Sequence, residues 1–302
     1  MTPRISVVVT TFEWPEALAL VLEALRMQRH APHEVIVADD GSGPATRRVV
    51  EAARARTPVP LRHVWAPDEG FTLNANRNRA LVAATGEYIV LLDGDMVPHP
   101  ALVADHAAAM RPGQYVQGSR VLLGADATRR ALAAGRVDAR WWHRDLRNRV
   151  NAVRLPPLSH ALARPVAAIH RTRGAHLAFH RADALAINGF DEDYRSFGRD
   201  DSDFVARLQH AGIVRRNLKF AAVAWHLHHG PGGTIAAENE TRLLRTLAER
   251  RTWVTAGADR HVGRTLDWEA QHAAPDATSD VAGGAAGAAA RDMGASTPRH
   301  RS

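Results

Sequence analysis

The chain has 302 residues, 45% apolar and 24% charged, an ordinary balance for a globular protein with room for a sizeable core. Its formal net charge is +7, Lys219 is the only lysine, and there is no cysteine, which excludes disulfides, zinc–thiolate centres and thiol nucleophiles. The positive charge forms no long basic run, which argues against nucleic acid and leaves anionic lipid or phosphorylated small molecules as attracted partners.

In chain order, "RISVVVTTF" (4–12) is a β-branched run suited to a strand buried on both faces. "WPEALALVLEALRMQ" (14–28) places Leu18, Val21, Leu22 and Leu25 at helical spacing, with Pro15 near the start. A strand and turn, "HEVIVADDGSG" (33–43), a helix at 45–56, a strand at 61–66 and a helix at 74–85 closed by Gly86 follow. "YIVLLDGDMVP" (88–98) is the next strand. This alternation predicts an α/β fold with a mostly parallel sheet and helices on both faces. Ligands of such sheets sit beyond the carboxyl ends of the strands, where Thr10, Thr11 and Phe12, then Asp39 and Asp40, then Asp93 and Asp95 converge.

Segment 126–172 is rich in Arg, Trp and Pro and weakly periodic; its Trp141-Trp142 pair suits either a lid or acceptor platform, or core packing. Regular patterns return at 174–194 and in a helix at 199–212, then a late strand running into a His-rich loop at 217–233 and a helix at 238–254. From 268 to 302 small and polar residues dominate, a composition that predicts disorder. No apolar run approaches the ~20 residues of a membrane span. The start of the chain lacks signal-peptide regions, so a cytoplasmic protein is expected.

Four clusters carry chemistry. Asp93 and Asp95, one residue apart on an extended backbone, point the same way and repel unless a cation or donors compensate; the alternative is a polar turn. In "ADDGSG" the glycine spacing fails the dinucleotide fingerprint; the Asp pair suits accepting hydrogen bonds from a base or ribose, or a plain turn. Asp200, Asp201 and Asp203 in "FGRDDSDF" exceed what one helix cap needs, and their repulsion would raise at least one toward a base's working range. His226 and His228 in "WHLHHGPGG" share a strand face at ligand spacing, with His229 as a further option. A mixed N/O set favours Mn2+ over Ca2+, with Mg2+ possible. Arg77 and Asn78 suit phosphate contact or a solvated helix face, and Phe12 suits base stacking or the core.

The order of "SVVVTTF", "HEVIVADDGSG" and "NANRNRALVAATGEYIVLLDGDMVP" resembles the nucleotide-binding half of family 2 glycosyltransferases, which have the GT-A fold. "GAHLAFHRADALAINGFDEDYRSFGRDDSDFVARLQHAGI" is similar to the C-terminal half of chondroitin-polymerase-like and β-1,4-galactosyltransferase-like enzymes. The resemblance spans about 4–230, with 125–170 poorly matched. It implies one domain over 1–267: a nucleotide-sugar half (1–124), a variable insert or lid (125–172) and an acceptor and catalytic half (173–267).

By the same resemblance, Thr10 and Phe12 cradle the uracil of a UDP-sugar, Asp39 or Asp40 bonds its ring or ribose, and Arg77 sits near the diphosphate. Asp93 lies close to ribose and metal, Asp95 is the main carboxylate ligand, and His226 is the histidine ligand. Asp201 is the general base and Asp200 helps hold the acceptor hydroxyl. Where relatives have Gly-Gly-Glu this chain has Gly198-Arg199-Asp200, so an arginine either narrows the acceptor site or pairs with an acid. The expected reaction is metal-dependent transfer, with inversion, from a UDP-sugar to a glycan or other hydroxyl, with peripheral membrane association left open. The alternatives are a nucleotidyltransferase, which lacks its basic Gly-rich loop here, and a non-catalytic sugar- or nucleotide-binding protein.

Overall fold

The computed structural model describes residues 3–166, 169, 172, 174–230 and 233–272. Its centre is β1 (Ile5–Thr11), all seven residues of which are buried. Val7 and Val9 face one helical layer and Val8 the other, as alternation along a strand requires. The other parallel strands are β2 (Glu34–Asp39), β3 (Leu61–Trp65) and β4 (Tyr88–Asp93), linked by α1 (Pro15–Arg26), α2 (Pro44–Arg54) and α3 (Leu73–Ala83). Then come β5 (Met96–Pro98), α4 (Leu102–Ala109), β6 (Gln114–Gln117), β7 (Ser119–Leu123), α5 (Ala125–Ala134) and β8 (Leu146–Arg147). After a 3-10 turn at Arg149–Ala152 come α6 (Pro156–Leu162), β9 (Pro165–Val166), β10 (His176–His180), α7 (Arg181–Ala186) and α8 (Asp200–His210). The last elements are β11 (Val214–Asn217), β12 (Val223–His226), α9 (Ala237–Ala248), a 3-10 turn at Ala258–His261, and α10 (Trp268–Gln271).

Eight strands form the main sheet in the order β3-β2-β1-β4-β10-β6-β11-β9, parallel from β3 to β4. β10 enters antiparallel beside β4, with His176 opposite Leu92, which makes the sheet mixed. A second sheet, β5-β12-β7-β8, lies beside it in the topology. The single strand expected over 88–98 is therefore two strands in different sheets, broken at Gly94. The late strand expected from 217 is likewise two, β11 and β12, separated by a turn with positive φ at Phe220 and Ala222.

Contacts with the sheet continue among the described residues past 267, the expected end of the domain. Asp267 pairs with Arg62 at 2.9 Å, Glu269 with Arg54 at 2.7 Å, and Arg47 lies over the Trp268 ring. These contacts place α10 in the same unit as the sheet; the remainder of the tail expected to be disordered, from 273, lies outside the described residues.

α4 and β10 meet at two fully buried imidazoles, His106 and His176, whose Nε2 atoms are 2.9 Å apart. Gly118 accommodates them, since a Cβ there would fall 2.1 Å from the His176 ring. Burial lowers the pKa of both, that of His176 to about 4. Folded pKa values below the unfolded value of about 6.5 mean the unfolded chain binds more protons in between, so stability falls as pH drops from about 6.5 toward 4. Thermal unfolding should show a midpoint several degrees lower at pH 5 than at pH 7.5, and the double variant His106→Leu, His176→Leu should narrow that gap. An unchanged gap would remove the pair as its cause.

Candidate active site

The turn between β4 and β5 separates the two acids that an extended strand would have aligned. Gly94 presses against β1: a Cβ there would lie 2.7 Å from the Thr10 carbonyl oxygen, so only glycine permits the approach. Before the turn, Asp93 accepts a hydrogen bond from Thr10 Oγ1 (3.1 Å) and lies 3.7 Å from Arg77. After it, Asp95 enters the second sheet, where β5 pairs with β12 and sets Met96 opposite His226. Leu227 N–H donates to the Asp95 carbonyl (3.0 Å). Register alone thus brings His226 to Asp95 from more than a hundred residues away.

Asp95 Oδ2 lies 3.4 Å from Nε2 of both His226 and His229, and one donor atom from each residue lies within 4.8 Å of the others. Two atoms bound to one ion at about 2.1 Å stand about 3.0–3.4 Å apart for octahedral to tetrahedral angles, so the group fits a divalent cation. Burial, with Asp93 nearby, pushes the Asp95 carboxyl up to about 7, and its Oδ1 is buried without a hydrogen-bond partner. A cation would remove both penalties. His228, expected to share the face of His226, is exposed and outside the group, because β12 ends at His226 and the chain turns. His229 takes its place, and Trp14 packs edge-on against it. Asp93 is also outside this group.

At the end of β2 the structure divides the Asp39-Asp40 pair. Asp39 is fully buried, with His63 Nε2 at 2.8 Å on one oxygen and Ser42 N–H donating to the other at 2.9 Å. It secures β2 to β3 and the following turn and faces no cleft. Asp40, held by the N–H and hydroxyl of Thr72 and raised in pKa by burial, lines a cleft of about 470 Å³ with Thr10, Phe12 and Phe71. Phe12 is 54% exposed there, a free aromatic face.

The polar face of α3 is buried, contrary to a solvated helix. Asn78 bonds the Phe190 backbone at both its N–H and C=O (2.8 Å each) and Glu192 at 2.9 Å, and Asn74 donates to Asp191 O at 3.0 Å. These bonds hold the segment that leads into α8. Arg77, 4% exposed, donates to Asp200 at 2.6 Å and to Asn74 at 3.3 Å. Asp203 belongs to the fold: its oxygens bind Arg207 (2.7 Å) and Thr246 (2.7 Å), all buried. Asp201 accepts the Gly174 N–H at 2.8 Å, and burial together with Asp200 raises its pKa. Arg199, at φ 72°, pairs with Glu240 of α9 at 2.5 Å and also lines the cleft that holds Asp200 and Asp201, so it meets both of the outcomes open for that position.

Three clefts of about 400, 470 and 450 Å³ meet at Asp93, which lines all of them. The first holds the Asp95–His226–His229 group, the second Phe12 and Asp40, and the third Arg77, Asp200 and Asp201. Arg120 of β7 lines the first and third and was not foreseen. Neither were Trp14 and Phe197, whose apolar character reads as core.

Residues 6–172, more than half of the chain, match the model of glycosyl transferase family 2. Residues 159–229 match the model described as the N-terminal domain of galactosyltransferase. Over 263 residues the chain is 27% identical to the chondroitin synthase of Escherichia coli, covering 78% of this chain and 36% of the synthase, so it spans about a third of that relative's length. Two solved structures share the fold. One is the mannosyltransferase PcManGT from Pyrobaculum calidifontis, in complex with GDP-Man and Mn2+ (TM-score 0.51, 22% identity, 85% of this chain and 66% of that one). The other is TarS 1–349 of S. aureus in complex with UDP-GlcNAc (TM-score 0.56, 16% identity, 82% of this chain and 66% of that one).

If both imidazoles hold the cation, His229→Ala should weaken Mn2+ binding more than about tenfold in calorimetric titration, and His228→Ala should leave it unchanged. Equal affinity of His229→Ala and the wild type would take His229 out of the site.

Proposed function

The chain belongs to glycosyl transferase family 2, and we propose that it transfers a sugar, with inversion, from a UDP-sugar to the hydroxyl of a glycan or similar acceptor. The observation that carries this reading is the meeting of three clefts at Asp93, with the cation-ligand group on one side and the raised-pKa Asp201 on another. The exposed face of Phe12 is suited to stacking on uracil, while Asp40 and Thr10 offer polar atoms beside it. Asp95, His226 and His229 would hold a divalent ion, Mn2+ best by donor type. Such an ion supplies Lewis-acid stabilisation for the charge developing on the departing diphosphate.

Asp201 takes the acceptor proton. The Gly174 N–H fixes one of its oxygens, and its raised pKa makes it a stronger base than an ordinary carboxylate. Asp200 beside it is neutralised by Arg77 and orients the hydroxyl. With Asp203 tied to Arg207 and Thr246 and Asp200 to Arg77, Asp201 is the acid of this run left for proton transfer, which favours a single in-line displacement. The same reading puts the enzyme in the cytoplasm, in peripheral contact with a membrane. No helix among the described residues is long and apolar enough to cross a bilayer.

UDP release from a panel of UDP-sugars should require Mn2+ and disappear in Asp95→Ala. Asp201→Asn should keep donor affinity while turnover drops about 10²–10⁴-fold. The rate should fall on the acid side with an apparent pKa above the ordinary carboxylate range. Asp200→Asn, by removing a neighbouring negative charge, should move that limb to lower pH. A protein that binds no UDP-sugar, or an Asp201→Asn variant of full activity, would overturn the reading.

A further inference from the structure

Seven of the fifteen exposed large apolar side chains among the described residues fall within 141–166, including Trp141, Trp142, Val150, Leu155, Leu158 and Leu162. The same stretch, 140–166, holds six arginines against one aspartate, a net charge of +5 out of the chain's +7. Arg140, Arg144, Arg147, Arg149 and Arg164 are exposed. The exceptions are turned inward: Arg154 binds Asp105 at 2.9 Å, and Asp145 accepts the Ala127 N–H at 2.7 Å.

The inner side of this stretch is fastened to the fold. β8 pairs with β7, Asn151 donates to the Arg120 carbonyl at 2.9 Å, and Leu155 N–H donates to Phe220 O at 2.8 Å. On the outer side the Trp141 and Trp142 rings meet edge-on and Arg140 lies over the Trp142 ring. Leu158 and Leu162, four residues apart, share one face of α6, and Leu155 is exposed at its N-cap. Trp141, Trp142, Leu158 and Leu162 remain 41–56% exposed despite these contacts, and exposing so many large apolar groups in one short segment is costly for a chain that stays in water.

We propose that 140–166 is the surface by which this protein docks on a bilayer of anionic lipid. Leucines and tryptophans beside arginines are the composition that lies in the headgroup boundary: the apolar groups enter the acyl edge, the indoles sit at the interface, and the guanidiniums meet lipid phosphates. A soluble polyanion would use the arginines and leave the leucines in water. The segment backs onto β7, whose Arg120 lines the first and third clefts, so docking would bring the base to an acceptor at the membrane. This inference rests on the transferase reading for its purpose but not for its test.

Sedimentation of the full chain with vesicles decides it. Binding to equal phosphatidylglycerol and phosphatidylcholine should exceed binding to phosphatidylcholine alone by about tenfold or more, and fall with added salt. Arg144→Glu with Arg149→Glu should lower it about tenfold, and Leu158→Ser with Leu162→Ser should also lower it, with circular dichroism unchanged. Equal binding to both vesicles, none to either, capture by heparin alone, or variants that bind like the wild type would overturn the proposal. UDP release measured without vesicles separates the two readings. Vesicle binding without turnover leaves the docking surface standing and removes the transferase; turnover without vesicle binding does the reverse.

Discussion

A buried guanidinium holds the two halves of the site at a fixed separation. Arg77 projects from α3 between Asp93, at the end of β4, and Asp200, at the start of α8, and lies over the Phe190 ring. A Cβ on Gly174 would come within 3.1 Å of that guanidinium and 3.2 Å of Asp201, a tight fit against both side chains. Taking one member from a buried ion pair costs about 3–5 kcal/mol, because the other is left charged in a poor solvent. The asparagines on either side of Arg77 bind the backbone at 190–191. Asn74, Arg77 and Asn78 therefore form a buried polar seam joining α3 to the segment that leads into α8.

The second constraint is the change of sheet at Gly94. β4 ends in the main sheet and β5 begins in the smaller one, so two acids one residue apart serve different partners. Asp93 is drawn toward Thr10 and Arg77, and Asp95 toward the histidines that β12 delivers. Repulsion between neighbouring acids is in this way divided between the Asp95–His226–His229 group and a buried arginine. A single extended strand would have left both acids in one place.

Much of this was legible in the sequence because it is local. Buried runs such as Ile5–Thr11 have a composition that fits only a strand covered on both faces, and the acids at their ends marked the functional edge. What sequence spacing misjudged was long-range. Asp39 and Asp40 look alike in the chain, but only packing against His63 shows that Asp39 is sequestered. Asp203 sits in the same acidic run as Asp201, yet Arg207 one helical turn later claims it. Strand periodicity set His228 on the face of His226 and left His229 a further option, whereas β12 ends at His226 and it is His229 that returns to Asp95. Arg120 carried no signal, since one arginine among many gains its meaning only from register with β12.

In the proposed reaction one cation, held by Asp95, His226 and His229, faces a nucleotide diphosphate across Asp93 from the base. A crystal structure with Mn2+ and UDP, phased to show anomalous scattering from manganese, tests it most directly. The account predicts one manganese peak within bonding distance of all three side chains, with uracil against Phe12 and the diphosphate on the metal. A manganese peak away from His226 and His229, or UDP bound with its base remote from Phe12 and Asp40, would contradict it.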